Sequence, residues 1–126
     1  MQPWIPLGAI LGGLSVMFGA FGAHSLKARL TEQKLAAFHT ATQYQFFHSL
    51  ALVMVGILAI QLGEPFAKKL KLAGSLFAAG IALFCGSIYI LTLGGPRFFG
   101  PVTPLGGLSF MAGWFTLAYA FLKKND

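Results

Sequence analysis

Residues 46–62 read FFHSLALVMVGILAIQL, and this stretch decides the class of the fold. It holds no Asp, Glu, Lys or Arg, and as a helix it approaches the roughly 20 apolar residues that a hydrocarbon core of about 30 Å demands. Working outward, three more stretches have the same character. The expected spans cover about 4–23, 35–62, 70–93 and 105–122, the second emerging from a polar lead-in near Thr31 or Leu35. Pro3 and Pro6 stand where a helix start tolerates proline. Gly63-Glu64-Pro65 breaks the chain after the second span, and Gly94-Gly95-Pro96 with residues 100–104 reads as a rigid loop before the fourth. The expectation is one domain over residues 1–126, an all-α integral membrane four-helix bundle.

Composition agrees. Of 126 residues, 56% are hydrophobic and 10% charged, against about 25% charged in an ordinary soluble domain. Mean hydropathy is +0.74. A soluble fold, a disordered tail and a disulfide scaffold are excluded, the last because Cys85 is the sole cysteine. The net charge of +6 does not point to nucleic acid, because the basic residues form short clusters that flank the apolar runs. These are Lys27, Arg29 and Lys34; Lys68, Lys69 and Lys71; Arg97; and Lys123 with Lys124. The expected partners are therefore the lipid bilayer and anionic headgroups. Five positive side chains fall on the side of the two termini and four on the other, which tips the positive-inside rule towards cytoplasmic termini. Met1-Gln2-Pro3 lacks the basic n-region of a signal peptide, so the first span reads as a retained helix.

Small residues recur at helical spacing. Gly8, Gly12, Ser15, Gly19 and Gly22 form one stripe; Gly74, Ala78, Ala82 and Gly86 form another; Gly106, Ser109, Gly113, Thr116 and Ala120 form a third. Such stripes let helix backbones approach closely, within one chain or between the protomers of a homo-oligomer.

Polar side chains gather at one end. Antiparallel spans bring together His24 and Ser25, the series His39, Thr40, Gln43, Tyr44, Gln45 and His48, then Ser87, Tyr89 and Thr92, then Arg97 and Thr103. Polar groups at membrane depth are costly unless partnered, so they tend to face inward. Tyr44 and His48 share a helix face and are expected to meet His24 and Ser87. The candidate ligand-binding set is His24, Tyr44, Gln45, His48, Ser87, Tyr89 and Thr103. It could hold a lipid headgroup, a small polar ligand or a partner protein. It could instead belong to a homo-oligomeric transporter or channel, or simply fasten the helices together. No H-x-x-H, C-x-x-C or H-E-x-x-H occurs, so no metal or cofactor is expected. No G-x-S-x-G element and no intramembrane acid–base dyad is visible, so no catalytic residue is assigned.

Four segments carry a family resemblance: residues 19–24 (GAFGAH), 44–50 (YQFFHSL), 84–89 (FCGSIY), and 102–110 (VTPLGGLSF) followed by Gly113-Trp114. In this order they resemble the small membrane proteins called domain of unknown function 423, which include bacterial inner-membrane proteins and a eukaryotic transmembrane relative. The resemblance implies four membrane helices in a bacterial plasma membrane and supplies no activity. Its motif positions are His24, Tyr44, Gln45, His48, Gly86, Ser87, Tyr89, Thr103, Pro104, Gly106 and Gly107. Cys85 stands where the family usually has a serine.

Overall fold

Inside a bilayer every backbone N–H and C=O must find a partner within the protein, which leaves an apolar chain the helix as its local solution. The computed structural model describes residues 2–122, so Lys123, Lys124 and Asp126 lie outside it. Four helices are long and apolar enough to cross a membrane: Trp4–Leu26, Glu32–Leu62, Ala67–Thr92, and Val102–Leu122 led in by a 3₁₀ turn at Arg97–Phe99. No strand occurs among the described residues.

Three of these helices begin about one turn earlier than the apolar runs, and the first ends about one turn later. Hydrogen bonding does not stop where the hydrocarbon does, so helix continues into the polar flanks. Thr31 caps the second helix by accepting from the Lys34 N–H at 3.1 Å, and Glu32 adds a favourable negative charge in the first turn. Gly63 (φ 55°) and Gly94 (φ 97°) end the second and third helices in the left-handed region that glycine enters cheaply. The rigid loop expected over residues 100–104 is corrected: Val102, Thr103 and Pro104 already belong to the fourth helix. Proline is accommodated there because the first N–H groups of a helix need no intrahelical acceptor.

The first and second helices pack as one hairpin and the third and fourth as another, joined where the second lies on the third. Leu52, Val55, Leu70 and Phe77 are wholly enclosed at the centre. The first small-residue stripe faces the second helix, where a Cβ on Gly8 would stand 2.7 Å from the Ser49 carbonyl oxygen. The stripe on the fourth helix faces the third: Ser109 Oγ donates to the Leu76 carbonyl at 2.7 Å, and a Cβ on Gly113 would stand 2.8 Å from the Phe77 ring.

The stripe read on the third helix does not run through as one contact. Gly74 is buried against Trp4, but Ala82 is exposed and nothing lies within 4 Å of where a Gly86 Cβ would be. Four-residue steps precess by about 40° each on a helix of 3.6 residues per turn, so the row rotates out of the interface. A π-helical turn at Ile81–Cys85 changes the phase again. Ala73, Phe77, Gly80 and Ile81 take the buried positions instead.

Candidate functional site

One helix supplies two different faces. On the second helix Gln45 and Ser49 lie about 100° around from Tyr44 and His48. The first pair therefore turns towards the first and third helices, and the second pair towards the fourth.

Gln45 is buried and ties three helices together. Its Nε2 donates to the Leu11 carbonyl at 2.8 Å, and its Oε1 accepts from the Tyr89 hydroxyl at 2.6 Å. The Tyr89 ring is wedged between Phe18 and Phe38, each with its ring centroid 5.2 Å away. Ser87 and Thr103 share a short hydroxyl–hydroxyl hydrogen bond that joins the third helix to the start of the fourth. Ser49 turns back on its own helix and donates to the Gln45 carbonyl. Among the described residues no buried side-chain nitrogen or oxygen lacks a hydrogen-bond partner.

His48 sits on the other face. A backbone carbonyl only accepts and an indole N–H only donates, so its two contacts fix its tautomer. Nδ1 carries the proton and donates to the Tyr44 carbonyl at 2.7 Å, while Nε2 accepts from Trp114 Nε1 at 3.0 Å. The imidazole lies flat on Phe110, with centroids 3.7 Å apart and planes 14° from parallel. Trp114 meets Phe77 edge-on at 4.8 Å, and Tyr44 stacks on Phe84 at 5.1 Å.

These rings border a recess of about 640 Å³ between the second and fourth helices. Tyr44, Phe47, His48, Phe84, Gly107, Phe110, Met111 and Trp114 line it. Its wall is largely aromatic, and the polar atoms of His48 and Trp114 are all engaged, Nδ1 by the Tyr44 carbonyl and Nε2 by the indole N–H. Trp114→Phe removes that bond while keeping a ring, and is expected to cost about 1 kcal/mol, the usual size of an interhelical hydrogen bond in a membrane. Unfolding in SDS titrations checks the cost, and ¹⁵N spectra of His48 check the loss of the Nε2 bond.

The structure thus divides the candidate set. Tyr44 and His48 share the aromatic recess, Gln45 and Tyr89 share a clasp between helices, and Ser87 pairs with Thr103. His24 stands apart and exposed, on the π-helical turn Gly22–Leu26, and does not meet His48. No group of three His, Cys, Asp or Glu side chains comes together among the described residues. Trp114, Phe110 and Phe84 border the recess without having been assigned to it from sequence. The available signal was that Gly107, Phe110 and Trp114 share one helix face, and that an indole at membrane depth needs an acceptor.

Comparison with known proteins gives consistent results. Residues 18–107 match the family described as "Protein of unknown function (DUF423)". The UPF0382 membrane protein YwdK of Bacillus subtilis is 41% identical over 123 residues, 98% of either chain. UPF0382 membrane proteins of Staphylococcus haemolyticus and Staphylococcus aureus are 37% and 38% identical over the same share. No solved structure matches.

Proposed function

The chain belongs to the DUF423 family of multi-pass membrane proteins, and from that premise we propose that it binds a membrane lipid, with an apolar chain in the His48–Trp114 recess. One observation carries this reading. An aromatic recess of about 640 Å³ opens on the membrane-embedded flank of the bundle, within the roughly 300–1,000 Å³ typical of ligand sites. An acyl or isoprenoid chain matches such a wall, because no polar atom at its floor is left wanting a partner. The polar contact belongs at the rim, where the Tyr44 hydroxyl makes no hydrogen bond among the described residues and the ring is 40% exposed. Lys27, Arg29, Lys34 and Arg97 lie at the same membrane end and add attraction for an acidic headgroup.

Gly107 offers a clean test. A Cβ there meets only Phe84 Cδ1, at 3.9 Å, so Gly107→Leu fills the recess without forcing the helices apart. Lipid retained per protein after gentle purification is expected to fall roughly tenfold, equivalent to about 1.4 kcal/mol of binding. Ala118→Leu, at an exposed position on the same helix, serves as the control and is expected to retain the wild-type amount. Equal retention by both variants would sink the lipid reading.

We further propose that the protein lies in the bacterial plasma membrane with both termini cytoplasmic. The support is Lys68, Lys69 and Lys71 at the start of the third helix together with Lys123 and Lys124, five positive side chains against four at the other end. A reporter fused after Asp126 is expected to be active only in its cytoplasmic form; activity in the opposite compartment would reverse the orientation.

A further inference from the structure

The end of the bundle opposite the polar cluster holds a second recess, of about 460 Å³. It lies where the start of the first helix, the end of the second and the start of the third converge, and Gln2, Pro3, Trp4, Ala59, Ala67 and Lys71 line it. The Gln2 amide is already used: Nε2 donates to the Gly56 carbonyl at 3.3 Å and Oε1 accepts from the Trp4 backbone N–H at 2.9 Å. That brace holds the chain start over the second helix and seats the Trp4 indole against Gly74, where a Cβ would stand 2.6 Å from Trp4 Cε2.

Two polar groups of the recess are left over. Trp4 is 9% exposed as a residue, and its indole N–H, which keeps accessible surface, has no acceptor among the described residues. An indole N–H can only donate, so the missing partner is an acceptor. Lys71, exposed at the rim, makes no ion pair among the described residues and brings a positive charge to the same wall. Lys68 and Lys69 precede it, and Glu64 is the only carboxylate at this end among the described residues. The remaining wall, Pro3, Ala59 and Ala67, is apolar. A ligand that satisfies all of this carries an anionic acceptor oxygen beside hydrocarbon, at the depth of a membrane interface.

We propose that this recess binds the phosphate of an anionic phospholipid, through the Trp4 indole N–H and the Lys71 ammonium, with the first part of an acyl chain against Pro3 and Ala59. The site is at the opposite membrane end from the His48–Trp114 recess, so either can fail without the other.

The test uses the full chain, ¹⁵N-labelled, in nanodiscs. Its two indole N–H resonances are separated by Trp4→Phe, which deletes the one from Trp4. In wild type the Trp4 resonance is expected to move downfield as phosphatidylglycerol replaces phosphatidylcholine. Lys71→Gln is expected to raise the phosphatidylglycerol fraction needed for half the shift about fivefold, the share of one lysine at an anionic surface. A Trp114 resonance that matches wild type in the same lipid shows that the fold of that variant is intact. A Trp4 resonance identical in the two lipids overturns the site, as does a Lys71→Gln titration that matches wild type. Inorganic phosphate added to phosphatidylcholine nanodiscs is expected to produce no shift; reproduction of the full shift would overturn the assignment to lipid.

Discussion

Gly106→Ala is expected to destabilise the bundle by about 3 kcal/mol, the upper part of the range for overpacking a tight contact. The reason lies across the interface. A Cβ at Gly106 would fall inside the van der Waals envelope of the Phe84 backbone nitrogen and Cα. A flexible side-chain tip could swing aside, but the backbone of a helix cannot yield without moving the whole element. Phe84 also sits within the π-helical turn Ile81–Cys85, so the third helix would have to shift where its hydrogen-bond pattern is already irregular. The neighbouring Gly107→Ala is the control. Its Cβ meets one ring carbon at 3.9 Å, and it is expected to be neutral within about 0.5 kcal/mol, as for substitutions away from tight features. Reversible unfolding in SDS, followed by circular dichroism, measures both. Equal effects from the two substitutions would contradict the close approach of the third and fourth helices.

Gln45→Leu is expected to cost about 2 kcal/mol, the sum of two interhelical hydrogen bonds near 1 kcal/mol each. The replacement preserves most of the volume, so the loss reports hydrogen bonding more than packing. It frees the Tyr89 hydroxyl and removes the tie to the Leu11 carbonyl in one step. Tyr89→Phe, which removes one bond only, is expected to cost about half as much. The double variant should resemble Gln45→Leu alone, because the Tyr89 hydroxyl has no bond left to lose. Full additivity in that double-mutant cycle would show that the two residues do not act as a pair.

How far the candidate site was legible in the sequence differs from residue to residue. That His48 needs a partner followed from its depth in the second span, since an imidazole in hydrocarbon cannot stay unpaired. Which partner it has did not follow. Topology suggested His24 and the structure gives Trp114, because the choice depends on the rotation of each helix about its axis. Residues 46–62 fix a helix but carry little asymmetry, being apolar almost all round. A soluble helix announces its buried face by polarity, whereas lipid and protein interior are equally apolar neighbours. Trp4 shows the same limit at the opposite end: nothing in the sequence announces that it shares a recess with Lys71 and leaves its N–H unpartnered.

The sequence by itself determined the membrane class, the four helices, the glycines that end the second and third of them, and the small residues that let helices approach closely. These are consequences of local hydrogen bonding and of side-chain size, both of which act within one helix and its neighbour in the chain. Only the tertiary structure decided that the polar end separates into a Gln45–Tyr89 clasp, a Ser87–Thr103 bond and an aromatic recess around His48 and Trp114. The physical reason is that helix rotation and the π-helical turn at Ile81–Cys85 are settled by packing over many contacts at once, each too weak to leave a mark in the sequence.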